Sequence, residues 1–216
     1  MKLDSVGGIT PVVLVTLSKG EKILSEHGLM LYKEAPVQVH RRTLKSLGVG
    51  TFQQMSIRAK AGSEEEYFLA EYEGPGNVTF SRDKTGEVRT MDLAEGQVVR
   101  IRSGHLMCFV ESVKYRPMVL LQYQNPSDPK EIEYVIADEL TGPGTIVYQS
   151  VGNIVTFNLN PGETVRTSVE ALLMVSGTIT PNMQWLYGSG SNFTGNYQFP
   201  VIDLIGPGQA LLHSGV

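Results

Sequence analysis

The chain is 216 residues long, 41% hydrophobic and 19% charged, with 18 basic against 22 acidic side chains and a formal net charge of −4. That length buries a sizeable core, and the apolar share excludes a disordered chain. A single cysteine, Cys108, excludes an internally disulfide-stapled scaffold, and the mild acidity weighs against nucleic acid as a partner. The 23 glycines and 11 prolines point to many tight turns and short elements.

The opening, Met1 to Gly8, carries an early Asp4 and glycines where a signal peptide has its apolar stretch. The longest apolar runs, Val12 to Val15 and Ala171 to Val175, are far shorter than the ~20 residues of a membrane helix. No membrane span is expected, and the cytoplasm is the expected compartment.

In chain order, Leu44 to Ile57 could hold a turn or two of helix, without a sustained amphipathic stripe. Asn77 to Phe80 then alternates polar and apolar residues. Gln97 to Arg102, Met118 to Tyr123 and Thr145 to Tyr148 are rich in β-branched and aromatic residues bounded by turn formers. Val151 to Leu159 alternates with one slip, and Val165 to Met174 is a second short helical candidate. The chain reads as all-β.

Several marks recur in one order. Gly-Pro-Gly stands at Gly74-Pro75-Gly76, Gly142-Pro143-Gly144 and Gly206-Pro207-Gly208, spaced 68 and 64 residues apart. A strand ending in Ser follows each: Ser81, Ser150 and Ser214. A Leu-x-x-Gly-(Glu/Gln) element stands at Leu17–Glu21, Leu93–Gln97 and Leu159–Glu163, with turn glycines Gly20, Gly96 and Gly162. Val-Arg follows twice, at Val99-Arg100 and Val165-Arg166. Leu-Met recurs at Leu29-Met30, Leu106-Met107 and Leu173-Met174. Such internal periodicity predicts one domain, 1–216, built from three β repeats. The expected units are 5–60 completed by 199–216, then 66–125, then 132–187. In this reading the C-terminal strand from Gly206 completes the unit begun by residues 5 to 34, so that the ends close a pseudo-threefold barrel or prism and leave no bare sheet edge.

The recurring marks are turn chemistry. Proline fixes φ while the flanking glycines permit positive φ or close backbone approach, and Gly20, Gly96 and Gly162 suit tight hairpins. A phosphate cradle would need a helix after the glycines, whereas β residues follow each triplet.

The ordered set resembles the altered inheritance of mitochondria protein twenty-four family, a mitochondrial biogenesis family with a TRAP-like β fold (tryptophan RNA-binding attenuation protein-like). The segment Leu17 to Met30 is similar to the family's early glycine-glutamate, glycine, methionine run. The resemblance covers Val12 to the C-terminus. It implies a threefold-repeated variant of the double-stranded β-helix, often self-associated, without established catalytic residues. Lys45 to Phe52 is compact where many members carry extended Gly/Phe-rich stretches.

The chemistry-bearing residues are sparse. His27, His40, His105 and His213 show no metal-ligand spacing, although His27 and His105 flank the recurring Leu-Met pairs. An acid lies three residues before each Gly-Pro-Gly: Glu71, Glu139 and Asp203. These three would form an acidic cluster if they pointed to one end, and otherwise serve as solvated strand positions. Cys108, in Leu106 to Val110, reads as a buried structural thiol, and no nucleophile elbow, Walker loop or dinucleotide fingerprint is present.

Arg41, Arg42 and Lys45 form the one concentrated basic patch, a candidate polyanion site, with Arg82 and Lys84 on an expected hairpin tip. Trp185, Tyr187, Phe193, Tyr197 and Phe199 lie in a glycine-rich stretch suited to a subunit or partner interface. The expected function is therefore a non-catalytic, self-associating β scaffold, a trimer or larger, without a cofactor and without DNA. The alternative is a ring that binds RNA or a small ligand.

Overall fold

A computed structural model describes residues 1–43, 68–125, 128–188 and 197–215. Among these every regular element is a β-strand, so Val165 to Met174 holds parts of two strands joined by a turn at 169–171, and the helical candidate at 44–57 lies outside the described residues. No helix among the described residues is long and apolar enough to cross a membrane.

Three successive runs of six strands share one pairing scheme. The first run holds β2 (Val12–Leu17), β3 (Lys22–Glu26), β4 (Met30–Lys33), β5 (Gln38–Thr43), β6 (Phe68–Glu73) and β7 (Gly76–Ser81). The second holds β8 (Val88–Leu93), β9 (Val98–Arg102), β10 (Leu106–Val110), β11 (Lys114–Asn125), β12 (Asp128–Thr141) and β13 (Gly144–Gln149). The third holds β14 (Ile154–Leu159), β15 (Thr164–Ser168), β16 (Leu172–Ser176), β17 (Thr180–Gly188), β18 (Tyr197–Ile205) and β19 (Gly208–His213). A further strand, β1 (Lys2–Val6), lies antiparallel along β2.

In the first run β6 and β7 form a central line. β3 and β2 flank it on one side, β5 and β4 on the other, all antiparallel. The second and third runs repeat this arrangement around β12–β13 and β18–β19. The strand after each Gly-Pro-Gly also carries the same irregularity against its neighbour. Met30, Leu106 and Leu172 sit opposite Phe80, Tyr148 and Leu212, and the register shifts one residue later. That register sets the recurring Leu-Met pairs one position out of step with each other.

Neither recurring turn is a hairpin. β2 and β3 belong to different sheets, as do β6 and β7. At each Leu-x-x-Gly turn and each Gly-Pro-Gly turn the chain therefore changes sheet, and the two turns do so together. Gly74 N–H donates to the Glu21 carbonyl at 2.9 Å, Gly142 N–H to Gln97 at 2.9 Å and Gly206 N–H to Glu163 at 2.9 Å. A Cβ added at Gly142 would stand well inside contact distance of the Ala94 and Leu93 carbonyls. Two residues on, Gly144 has φ of 142°, a conformation that side chains with a Cβ rarely adopt. The peptide bonds Gly74–Pro75, Gly142–Pro143 and Gly206–Pro207 are cis.

The expected closure differs from the fold. β19 pairs with β14 and β16 of its own run, not with residues 5 to 34. Local pairing closes a loop of about 50 residues, whereas the expected swap must span nearly the whole chain at greater entropic cost. The sheets do not close into a barrel. β3 pairs with β10 and β9 pairs with β16, which joins neighbouring runs into two six-stranded sheets, β5-β6-β3-β10-β13-β8 and β11-β12-β9-β16-β19-β14. The remaining strands form two smaller, separate sheets, β1-β2-β7-β4 and β15-β18-β17.

The core follows these joins. The central cluster packs Leu24, Ile101, Leu106, Phe109, Tyr148 and Leu173 between the joined sheets, with Phe109 stacked on Tyr115 at 5.5 Å. A second cluster fills the first run around Val15, Ile23 and Phe80, and a third fills the last run around Val175, Ile202 and Leu204.

Placing Ala at Gly142 forces backbone apart, an overpacking cost of about 2–3 kcal/mol. Gly142→Ala is expected to lower Tm by about 5–10 °C for a chain of this length. Gly96→Ala, in open space at φ of 71°, should cost only about 1 kcal/mol. Thermal unfolding of the two variants checks this, and equal losses would contradict the docking of the turns.

Candidate functional site

The three acids before the Gly-Pro-Gly turns sit on the central lines β6, β12 and β18, each in a different sheet. Each is held by its own arginine. Arg42 Nε donates to Glu71 Oε2 at 2.5 Å, with Lys22 Nζ at 3.5 Å. Arg100 Nε donates to Glu139 Oε2 at 2.9 Å and Arg116 Nε to Glu139 Oε1 at 3.0 Å. Arg166 grips Asp203 with two donors at 2.6 and 2.8 Å. Burial works against the Glu139 carboxylate, yet the bonds from Arg100 and Arg116 hold it below its ordinary value. The Arg166 bonds likewise hold Asp203 down. The acids are thus three separate ion-pair anchors, and among the described residues no three of His, Cys, Asp and Glu are grouped to hold a metal ion.

The basic patch is dispersed in the same way. Arg42 is committed to Glu71, the Arg41 guanidinium lies 4.3 Å over the Phe68 ring, and Lys45 lies outside the described residues. Of the aromatic stretch, Trp185 on β17 packs edge-on against Tyr123 of β11 at 5.9 Å, an internal contact. Phe199 on β18 is exposed, while Phe193 and the side chains of Tyr187 and Tyr197 lie outside the described residues. Cys108 is fully buried, and burial pushes its thiol well above the ordinary value.

Sequence reasoning missed two buried polar clusters. Arg82, expected on an exposed tip, turns inward: its Nη2 donates to Glu26 Oε2 at 2.7 Å and to the Leu106 carbonyl at 2.6 Å. Asp138 on β12, 1% exposed, receives the Tyr115 hydroxyl at 2.8 Å. Burial, then the nearby Glu26 charge, pushes Asp138 up, against the pull of Tyr115 and Arg82. Glu26 Oε1, Arg82 Nε and Asp138 Oδ2 are buried without protein partners. The available signal was an acid at a strand position alternating with buried apolar neighbours.

The second cluster pairs His105 with His213, not with His27. Their rings lie 5.1 Å apart and both are buried. His105 Nδ1 meets the Gln149 carbonyl at 2.8 Å and therefore donates, and Gln149 Nε2 donates to the Lys84 carbonyl at 2.7 Å. Burial, with Lys84, His213 and Arg102 nearby, lowers His105 to about 3, and burial also lowers His213. His27 instead stacks against Phe68 at 4.8 Å. The histidines are separated by more than a hundred residues, so their meeting leaves no local mark.

Beside this cluster, the segments between runs are stitched by backbone bonds such as Glu87 N–H to Gly152 O at 3.2 Å and Ser214 N–H to Asn153 O at 3.0 Å. An open cleft of about 500 Å³ lies over them, lined by Ser5, Ile9, Glu87, Arg89 and Asn153. Glu87 is occupied there by the Ile154 amide and by Arg89.

Each sheet ends in strands paired on one side only, and two of these, β4 and β15, correspond to strands that are paired on both sides elsewhere in the chain. Among the described residues β4 pairs only with β7, and β15 only with β18. On β4, Met30, Leu31 and Tyr32 are 41%, 62% and 48% exposed. Their positional counterparts Leu106, Met107 and Cys108 on β10, and Leu172, Leu173 and Met174 on β16, are all at most 1% exposed.

Residues 5–215 match the family described as mitochondrial biogenesis AIM24. The chain belongs to that family. An X-ray crystal structure of a Streptococcus pyogenes protein, solved by a structural genomics consortium, superposes with a TM-score of 0.67 at 19% identity, covering 99% of this chain and 93% of that one. At that identity the likeness is one of fold alone. No curated protein matches.

Acid tests the histidine cluster. His105 is folded in a form that resists protonation, so its contribution is present above pH 6.5 and is lost as pH falls toward about 3. Between pH 7.5 and 5.5 one such group takes away about 1.4 kcal/mol. Urea unfolding of wild type and His105→Gln, which keeps a donor, should show the wild type losing about that much more over the interval. Equal losses would contradict the buried neutral pair.

Proposed function

We propose that this AIM24-family protein is a non-catalytic, self-associating scaffold. Its body is three copies of one TRAP-like β unit, in which each unit's bent central line is flanked by two others. The shared pairing scheme, the shared irregularity after β4, β10 and β16 and the three docked glycine turns support this reading.

The exposed β4 edge carries the self-association. Met30, Leu31 and Tyr32 form a short apolar row on a strand that pairs on one side only among the described residues, and such an edge invites pairing with another chain. Covering these half-exposed side chains contributes about 1 kcal/mol each. The RNA-ring reading has less support, because Arg42 is neutralised by Glu71 and Arg41 is laid over Phe68.

Light scattering between low and high micromolar concentration should show mass above the 23.7 kDa of one chain. Leu31→Lys, which charges the edge without touching the core, should shift that mass toward the single chain. A wild-type protein that stays at 23.7 kDa throughout would overturn the proposal.

A further inference from the structure

The chain supplies its own template for what covers the free edges. It makes one kind of inter-run junction twice, the second strand of one run lying antiparallel to the third strand of the next. In the first junction Ser25, Leu24 and Ile23 of β3 face Cys108, Phe109 and Val110 of β10. In the second, Ile101, Arg100 and Val99 of β9 face Met174, Val175 and Ser176 of β16. The two strands left over are one of each kind: β15 is the second strand of the last run, and β4 the third strand of the first.

Resting on the self-association just proposed, we infer that the partner of β4 is β15 of a second copy of this chain, in the register of the internal junctions. Positions then follow directly. Thr167 takes the place of Ser25 and Ile101 and faces Tyr32. Arg166 takes the place of Leu24 and Arg100 and faces Lys33. Val165 takes the place of Ile23 and Val99 and faces Glu34.

Joined this way, β17-β18-β15 of one copy and β4-β7-β2 of the next line up in the strand order of the two existing six-stranded sheets, with β1 adding a seventh strand beyond β2. Tyr32 and Leu31, exposed in the single chain, gain the cover that buries Cys108 and Met107. The contact is head-to-tail, so each added copy leaves one free β4 and one free β15, and the assembly grows or closes into a ring of copies.

The central row limits the strength of this junction wherever it is made. The two internal junctions put Phe109 against Leu24 and Val175 against Arg100, whereas this one puts Lys33 against Arg166. Like charges directly opposite on paired strands oppose each other. Asp203 offsets part of the Arg166 charge through its two bonds.

The test uses disulfide trapping with two single-cysteine additions, Tyr32→Cys and Thr167→Cys, the native Cys108 being fully buried. Oxidising an equimolar mixture should give an inter-chain cross-link between positions 32 and 167, and neither variant alone should. Homodimers from Tyr32→Cys alone would show a two-fold β4–β4 contact and overturn the inference. A cross-link inside one chain carrying both cysteines, at single-chain mass, would also overturn it. Oligomers that resist every cross-link would leave the scaffold reading standing and refute this interface, whereas a strictly single-chain mass would refute both. As an independent readout, Lys33→Glu places opposite charges in the central row. It should tighten association about two- to fivefold at low salt, an advantage that shrinks as salt rises. Weaker association of Lys33→Glu would contradict the register.

Discussion

The structure depends on one contact made three times: the first glycine of a Gly-Pro-Gly turn set against a Leu-x-x-Gly turn. At each, a β-ribbon has to leave one sheet and enter another, and both of its strands must bend at the same level. A backbone that bends beside another bending backbone leaves no room for a side chain, and the positions of Gly74, Gly142 and Gly206 show this directly. The amide of each glycine then bonds the carbonyl just past the facing turn. The two motifs recur in step because each is one half of the same corner.

From those corners the rest of the architecture follows. Each bent central line presents one half to one sheet and one half to another, so neighbouring runs join through β3 with β10 and β9 with β16. The central apolar cluster fills these joins. The polar groups buried there belong to the joins as well. Glu26 and Arg82 come from the first run and Asp138 and Tyr115 from the second, while His105 and His213 connect the second run to the last. A row of three units joined end to end has two ends, and these are β4 and β15. β1, without a counterpart in the other runs, lies along β2 and covers the neighbouring edge.

Much of this was legible in the sequence because turns and alternation are local. Gly-Pro-Gly, Leu-x-x-Gly and the β-branched runs gave the all-β class and the spacing of the corners, and the ordered set gave the family. What sequence could not reveal is pairing. Gly20 and Gly96 look like hairpin glycines whether the flanking strands pair with each other or with a third strand. The acids Glu71, Glu139 and Asp203 look like a cluster until the sheets separate them and each meets its own arginine. Arg82 and Asp138 gave no local sign of meeting, being more than fifty residues apart. The partner of the closing strand at Gly206 is hidden for the same reason, since the two candidates differ only in loop length.

The central claim is that the chain carries two complementary free edges that another copy fills. Amide hydrogen exchange followed over a dilution series reads those edges directly. The account predicts that amides in Met30–Lys33 and Thr164–Ser168 gain protection together as concentration rises, while the already paired β10 and β16 stay unchanged. Exchange at both edges that remains fast and independent of concentration would contradict it.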